Sequence, residues 1–346
     1  MPSSFPAARA GVRRLSLHQY VEGVLAGDRV VLARAITLIE SRLAADAERA
    51  AQLLDSILPH TGKSRRVGIT GVPGVGKSTF IDALGMHVIR DCGERLAVLT
   101  VDPSSPISGG SILGDKTRME RLSAEPHAFI RPSPSGGHLG GVARRTRETI
   151  LLCEAAGYRN VLIETVGVGQ SETAVRSMSD FFLLLMLAGA GDELQGIKRG
   201  IVEMIDAMAI NKADGDNLQK ADRARVEYAS ALHLFPASGD GWTPRVLTCS
   251  AINNTGVAEI WQMVLDHEAQ LGESGKIAER RTRGDLQWMD DLISMGLAQM
   301  FQTQPAVAER LPALRREVRD GFVTPLAASR ELLRLFHPPA AQTKSK

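Results

Sequence analysis

Several features that mark particular classes of protein are scarce in this chain of 346 residues. It contains three cysteines, Cys92, Cys153 and Cys249, which lie far apart and form no Cys-x-x-Cys pair. This usage is typical of reduced thiols in a cytosolic protein rather than of a disulfide framework. No apolar run approaches the ~18 residues that a membrane-spanning helix requires. The longest run, Phe181 to Ala190, is predicted to be a core strand and its exit.

An excess of charge of either sign is also missing. The 41 basic and 39 acidic side chains give a net charge of +2, which offers no argument for a nucleic acid or a membrane surface as a partner. The first 21 residues contain Arg9, Arg13 and Arg14 but no acid. That composition is conceivable for a mitochondrial transit peptide. A frayed bacterial N-terminus is the simpler interpretation, so we expect a cytoplasmic protein.

One stretch dominates what is present: Gly71-Val72-Pro73-Gly74-Val75-Gly76-Lys77-Ser78 matches the phosphate-binding pattern G-x-x-x-x-G-K-[ST]. The glycines allow backbone N–H groups to approach phosphate oxygens. Lys77 is predicted to reach the β- and γ-phosphates and to act in catalysis, and the Ser78 hydroxyl to bind Mg²⁺. An apolar strand precedes the loop, and a helix that begins near Thr79 follows it, so the positive helix end favours the same anion. Thr79 is predicted to bind the nucleotide together with residues 71–78.

From Arg65 onward, predicted strands alternate with predicted helices, which favours an α/β fold with a doubly wound, mostly parallel sheet. The predicted strands cover residues 66–71, 95–102, 127–131, 160–166, 180–187, 206–211 and 245–250. They are mostly near-continuous apolar runs, as a sheet buried on both faces requires. Ligands bind such sheets at the carboxyl ends of the strands.

Helical patterns flank this region on both sides. Residues 1–60 are predicted to be an N-terminal helical extension, 61–272 the P-loop domain, and 273–346 a C-terminal helical arm with a disordered tail. Within the arm, the apolar spacing predicts helices over residues 285–301, 306–319 and 325–335.

Asn211-Lys212-Ala213-Asp214 follows an apolar strand and matches the pattern Asn-Lys-x-Asp. A carboxylate at Asp214 can accept hydrogen bonds from guanine N1–H and N2–H₂, whereas adenine offers an acceptor at N1. A buried site built for two donors rejects the base that lacks them. Ser250 and Ala251 end the next strand, where such a pair usually supports the base through backbone N–H groups; the alternative is a plain turn.

The strand 160–166 ends near Glu164, and Gly167 follows three residues later. This is the position of an acid that organises Mg²⁺ and of a glycine whose N–H senses the γ-phosphate. Most such motifs carry Asp, so the longer Glu leaves open whether it binds Mg²⁺ directly or through water. Asp102, at the end of another strand, and Asp115, in the Gly-rich loop after it, could complete the magnesium shell; the alternative is that they are turn and loop residues.

Two further side chains are candidates for catalysis. Gln170 follows Gly167-Val168-Gly169, where it could orient the attacking water. Lys198 ends the polar loop that begins at Gly189, and a cation there could neutralise charge on the transferring phosphoryl group. Solvated loop residues are the alternative for both.

With these stretches assembled, the chain resembles the MeaB/ArgK family of P-loop GTPases, which accompany adenosylcobalamin-dependent methylmalonyl-CoA mutase. The stretches that carry the resemblance are residues 71–78, 101–105, 114–119, 164–172, 189–198 and 211–214. The resemblance implies binding and hydrolysis of GTP to GDP, with Asp102, Asp115 and Glu164 around Mg²⁺. It also implies a homodimer built through the C-terminal helices, and a third switch at Gly189 to Lys198 that communicates with the mutase. The implied task is GTP-gated loading and protection of the cobalamin cofactor.

Three other functions share parts of this pattern. A metallochaperone GTPase would usually add clustered His or Cys ligands, whereas the eight histidines here are scattered. A kinase of an amino-acid-binding transport protein would need a base aimed at a substrate hydroxyl. A signalling switch would share every nucleotide motif, so only its partner would distinguish it.

Overall fold

The computed structural model describes residues 14–41, 43–101, 118–132, 139–165, 171–189, 199–233 and 240–337. Seven parallel strands form one sheet in the order β3-β2-β4-β1-β5-β6-β7. The strands are β1 (Arg65–Gly71), β2 (Leu96–Val101), β3 (Ala128–Pro132), β4 (Asn160–Thr165), β5 (Phe181–Leu187), β6 (Ala207–Asn211) and β7 (Arg245–Thr248). This confirms the predicted α/β fold, and each predicted strand exists within a residue or two of its expected bounds.

Helices precede, separate and follow the strands. In chain order they are α1 (Leu17–Leu25), α2 (Arg29–Glu40), α3 (Ala44–Ile57), α4 (Lys77–Arg90), α5 (Glu120–Ala124), α6 (Leu139–Ala155), α7 (Ser171–Met178), α8 (Arg199–Val202), α9 (Leu218–Leu232), α10 (Val257–Glu273), α11 (Lys276–Thr303), α12 (Pro305–Arg319) and α13 (Pro325–Phe336). A capping box starts α1, in which Ser16 and Gln19 bond each other's backbone. None of these helices is long and apolar enough to cross a bilayer.

Each face of the sheet packs against its own hydrophobic cluster because successive strand residues point to opposite sides. In β5, Phe182 and Leu184 join the cluster that includes the N-terminal helices, whereas Phe181 and Leu183 join the cluster that includes α4 and α10. The N-terminal helices therefore share a core with the sheet.

A buried ionic network lies at the amino-terminal edge of the sheet, opposite the phosphate loop. Asp206, just before β6, is 3% exposed and accepts hydrogen bonds from Arg176 on α7 and Arg280 on α11. Asp180, just before β5, pairs with Arg281 at 2.6 Å. Because such charges are stable in the interior only when they are paired, the network holds the start of α11 against the sheet.

The expected start of this helix at Asp285 was wrong, because α11 begins at Lys276. The early residues lack an apolar stripe and pack instead through Arg280 and Arg281. Gly284 lies against the backbone of α7, where an added Cβ would stand 2.5 Å from the Ser177 carbonyl oxygen.

The chain divides into two compact units, Met1–Gly284 and Asp285–Lys346. In the smaller unit, α12 and α13 enclose a small core of Val307, Leu314, Ala328 and Leu332. Arg310 bridges Glu317 and Glu331 across these helices. Along α11, by contrast, a row of apolar side chains is exposed by 50% or more: Leu286, Met289, Ile293, Leu297 and Met300.

Candidate functional site

The phosphate loop connects β1 to the first turn of α4, as the sequence predicts. Gly71, at the end of β1, lies so close to the β5 backbone that a Cβ would collide with the Leu185 carbonyl oxygen. Gly76, immediately before α4, has φ of 92°, a left-handed conformation that other residues rarely adopt. These two positions require glycine, so the loop can turn sharply and present its amides at the helix N-terminus.

Lys77 is buried at the first position of α4, and its ammonium group lies over the loop. Its Nζ donates hydrogen bonds to the carbonyl oxygens of Gly71, at 2.7 Å, and Val72, at 3.3 Å. Burial lowers the pKa of Lys77, while the charges of Glu164 and Glu172 act in the opposite direction. The amino group of Lys77 is thus partly desolvated, and in such a position a charged group interacts more strongly with an anion than it would in water.

Ser78 and Glu164 meet next to this lysine. The Ser78 hydroxyl donates to Glu164 Oε1 at 3.1 Å, which joins the start of α4 to the end of β4. Glu164 is 3% exposed. A hydroxyl and a carboxylate are hard oxygen donors of the kind that Mg²⁺ prefers, so the two side chains fit the predicted metal position.

Asn211, Ala213 and Asp214 form a second cluster at the end of β6. Asp214 Oδ2 accepts a hydrogen bond of 2.5 Å from the Ser250 hydroxyl. The Ala251 N–H donates to Asn211 Oδ1 at 3.3 Å, and the Ala213 N–H donates to the Cys249 carbonyl at 2.9 Å. Hydrogen bonds therefore join the segment after β6 to the segment after β7.

Two side chains tie this cluster to the phosphate loop. The Asn211 amide donates to the Val75 carbonyl at 2.8 Å, and Lys212 Nζ donates to the Gly74 carbonyl at 2.9 Å. Because parallel strands end at the same edge of the sheet, the phosphate loop and the Asn-Lys-x-Asp segment lie together although 136 residues separate Val75 from Asn211.

The described part of the chain brings together Lys77, Ser78 and Glu164 in one group, and Asn211, Asp214, Ser250 and Ala251 in another, with the loop between them. Lys212 joins the second group to the loop, and Thr79 follows Ser78 on α4. Five predicted site residues lie outside the described residues: Asp102, Asp115, Gly167, Gln170 and Lys198. Their predicted roles stay predictions. Within the described residues, no group of three or more His, Cys, Asp or Glu side chains could hold a metal ion.

Sequence reasoning assigned no role to Glu172, although it is 4% exposed and its charge acts on Lys77. It also missed the hydrogen bond of 2.9 Å between the hydroxyls of Thr165 and Thr70, which links the ends of β4 and β1. The acid itself, two residues after Gln170, was visible in the sequence. The threonine pair was not, because it depends on the order of the strands.

Comparison with known proteins places this arrangement in one family. The family model for "Methylmalonyl Co-A mutase-associated GTPase MeaB" matches residues 32–306. The Escherichia coli protein "GTPase ArgK" is 50% identical over 278 residues, which cover 80% of this chain and 84% of the relative. The Mus musculus protein "Methylmalonic aciduria type A homolog, mitochondrial" is 46% identical over 324 residues, which cover 91% of this chain and 78% of the relative.

A solved structure named "LAO/AO transport system kinase" superposes with a TM-score of 0.73 at 37% identity, covering 94% of this chain and 99% of that one. These matches agree with the α/β P-loop fold, and they confirm the family predicted from the sequence. The chain therefore belongs to the MeaB/ArgK family of P-loop GTPases.

Proposed function

We propose that the chain selects guanine nucleotides at Asp214 and hydrolyses GTP to GDP and phosphate over Lys77. The observation that carries this proposal is the position of the Asp214 carboxylate, held by the Ser250 hydroxyl at 2.5 Å and joined through Asn211 to the phosphate loop. A carboxylate fixed in this way accepts the paired N–H donors of guanine, and adenine would leave it unsatisfied.

Titration calorimetry tests the base specificity. Wild-type protein with Mg²⁺ is expected to bind GTP and GDP and largely to ignore ATP. Asp214→Asn is expected to shift preference toward xanthine nucleotides, because xanthine presents a carbonyl where guanine presents N2–H₂. Asp216→Asn, two residues away and exposed, is the matched control and is expected to keep guanine preference. Equal affinity of the wild type for ATP and GTP would refute the assignment.

Lys77 contributes to hydrolysis through its charge and its position. Exchanging its two loop carbonyl partners for phosphate oxygens would give it charge-assisted hydrogen bonds, which are stronger than neutral ones. The buried cation would then stabilise charge that develops on the phosphoryl group. Gln170 and Lys198 are proposed to orient the attacking water and to neutralise the γ-phosphate.

Magnesium is proposed as the resident cofactor, held by Ser78 and by Glu164, with Asp102 and Asp115 as the other candidate ligands. The bound ion would neutralise charge on the β- and γ-phosphates. The hydrogen bond of 3.1 Å between the Ser78 hydroxyl and Glu164 supports this assignment because it brings the two oxygens close enough for one ion to bind both. Titration of GTP with and without Mg²⁺ tests it, since loss of the ion should weaken GTP more than GDP.

The biological role is proposed to be that of a GTP-gated chaperone, which loads and protects adenosylcobalamin in methylmalonyl-CoA mutase or a related mutase. The support is the family description and the residues it matches. Affinity capture from source lysate, with GDP or a non-hydrolysable GTP analogue, should recover a cobalamin-dependent mutase in a nucleotide-dependent manner. Recovery that is equal with both nucleotides would contradict gating.

The loop Gly189 to Lys198 is proposed as the segment that carries the signal to this partner. It follows β5, a rigid core strand, and its glycines permit two backbone arrangements. Lys198→Ala should keep GTP affinity but lose most of the stimulation by the mutase in single-turnover hydrolysis. Undiminished stimulation would reject Lys198 as the route.

We propose that the chain forms a homodimer through α11. Its exposed apolar residues Leu286, Met289, Ile293, Leu297 and Met300 follow the three- and four-residue spacing of a helix–helix seam. Met289→Glu with Ile293→Glu should convert the dimer to a monomer in light scattering. Phe322→Glu, an exposed position outside this row, is the control. Removing residues 285–346 should have the same effect, whereas a cut after Gly275 would also remove Arg280 and Arg281 from the core of the larger unit.

A kinase of a transport-associated binding protein is the second candidate, favoured only by the name of the structurally similar kinase. Hydrolysis with γ-labelled GTP separates the two: release of free phosphate supports the GTPase, and labelled protein in the presence of a periplasmic-type binding protein supports the kinase.

A cytoplasmic location is proposed as well, since Cys92, Cys153 and Cys249 are all free thiols.

A further inference from the structure

A groove of about 550 Å³ lies outside the nucleotide site, along the β3 edge of the sheet. We call it the edge groove. It runs between α2, from Arg29 to Thr37, and β3, from Ala128 to Arg131, with Ser123 of α5 on its far side. Two strands, β2 and β4, separate β3 from the strand that carries the phosphate loop. The edge groove is therefore a separate surface that nucleotide binding does not use.

The floor of the edge groove is the outer side of an edge strand. Within the described sheet β3 pairs with β2 alone. The Leu96 N–H donates to the His127 carbonyl at 3.1 Å, so the backbone groups of His127, Phe129 and Arg131 face β2. Because these groups alternate along a parallel strand, the N–H and C=O of Ile130 and the C=O of Ala128 face outward. They present the donors and acceptors that another strand would use.

The edge groove is as long as a short extended segment. Four strand residues span roughly 13 Å, and the eight-residue step from Arg29 to Thr37 along α2 spans roughly 12 Å. Val30 is 69% exposed at the mouth of the groove, and Ala33 and Ile130 add apolar surface. An extended peptide of four to six residues could thus contact the helix and pair with the strand at once.

The charge of the edge groove selects the kind of peptide. Among the described residues that line it, Arg29, Arg34 and Arg131 are basic and none is acidic. Arg131 pairs with Glu40 at one end, and Arg29 donates to the Pro126 carbonyl at 3.1 Å, which places its guanidinium at the rim. The charged side chains among the described lining residues are therefore all positive, which favours an anionic ligand.

The ends of this chain do not supply such a segment. The first 14 residues contain three arginines and no acid, and the last ten contain two lysines and no acid. Like charges would repel these segments from the edge groove. We propose that the edge groove binds an acidic, extended peptide segment of a partner protein, which adds as a strand beside β3 while its carboxylates contact Arg29 and Arg34.

Fluorescence polarisation with a labelled six-residue peptide of alternating glutamate and valine tests the proposal. The peptide is expected to bind with a dissociation constant on the order of 100 μM or tighter, and more weakly as salt rises. Arg29→Glu combined with Arg34→Glu should weaken binding at least tenfold. Lys220→Glu combined with Arg223→Glu makes the same charge change on exposed positions of α9 and should leave binding unchanged. All variants should keep wild-type GTP hydrolysis, which shows that they are folded.

Strand pairing has its own controls. The same peptide with alternate backbone nitrogens methylated keeps its charge but cannot pair, so it should bind at least tenfold more weakly. Ile130→Pro removes the outward N–H without removing a bond to β2, and it should weaken the unmodified peptide. Equal binding of both peptides, no binding up to millimolar peptide, or displacement by micromolar inorganic pyrophosphate would overturn the proposal. The last result would assign the groove to a small anion.

Discussion

Replacing Asp206 by asparagine is expected to destabilise the larger unit without touching the nucleotide site. Asp206 accepts hydrogen bonds from Arg176 at 2.9 Å, from Arg280 at 3.1 Å and from the Phe182 N–H at 2.9 Å. Asparagine keeps the shape and one acceptor oxygen but loses the charge, so two buried guanidinium groups lose their shared counter-ion. The side chains of Arg176 and Arg280 are only 20% and 15% exposed.

The magnitude follows from these contacts. Removing one partner of a buried ion pair costs about 3–5 kcal/mol. The cost here is lower because Arg280 keeps Asp240, with which it also pairs, and because the asparagine oxygen still accepts a hydrogen bond. We therefore expect a loss of about 2–4 kcal/mol in the free energy of unfolding. The exposed pair of Asp222 and Arg225 offers the control, and Asp222→Asn should cost no more than about 0.5 kcal/mol.

Urea unfolding followed by tryptophan fluorescence is the assay. Trp242 and Trp261 are each 2% exposed in the larger unit, and Trp242 Nε1 donates to the Asp206 carbonyl at 2.8 Å. A Trp288→Phe background removes the signal of the smaller unit. If Asp206→Asn lowers the free energy of unfolding by less than about 1 kcal/mol, the charge of Asp206 does not stabilise the buried arginines as proposed.

The pH dependence gives a second, independent test. Burial opposes ionisation of Asp206, but the charge of Arg176, the neighbouring imidazole of His267 and the charge of Arg280 hold its pKa below the ordinary value. A carboxyl group whose pKa is lower in the folded state stabilises the fold fully above its unfolded pKa of about 3.9. The difference between wild type and Asp206→Asn should therefore be constant near neutral pH and shrink as pH falls through the folded pKa. A difference that grows in acid would refute this account.

Three further predictions concern the nucleotide site. Lys77→Ala should weaken GTP binding by about 1.5–3 kcal/mol and remove most hydrolysis; wild-type turnover in this variant would exclude the assigned role. Ser250→Ala should lower the affinity for GTP and GDP equally, by about 1 kcal/mol in calorimetry, because Asp214 loses the hydroxyl that positions it; a change confined to GTP would point to the phosphates instead. Glu164→Gln should raise the Mg²⁺ concentration that gives half-maximal hydrolysis, and an unchanged midpoint would remove Glu164 from the metal site.

Local patterns were sufficient to predict much of this molecule. A glycine-rich loop that ends in Gly-Lys-Ser between an apolar strand and an amphipathic helix commonly forms a phosphate-binding loop. The residue pattern alone therefore assigns Gly71 to Ser78 this structure. The continuous apolar runs of β1, β4 and β5 predicted a sheet buried on both faces, because only that environment satisfies them. The Asn-Lys-x-Asp segment directly follows another apolar run, so it could be placed at the end of a strand.

The contacts between distant segments depend on the tertiary structure. That Asn211 would bond the Val75 carbonyl, and Ser250 the Asp214 carboxylate, follows from the order of the strands, which no local pattern encodes. The early start of α11 was missed because its first residues, including Arg280, are held by ion pairs with acids far away in the sequence. Periodicity predicts apolar packing, whereas a buried charge is stable only beside a partner that the fold brings to it.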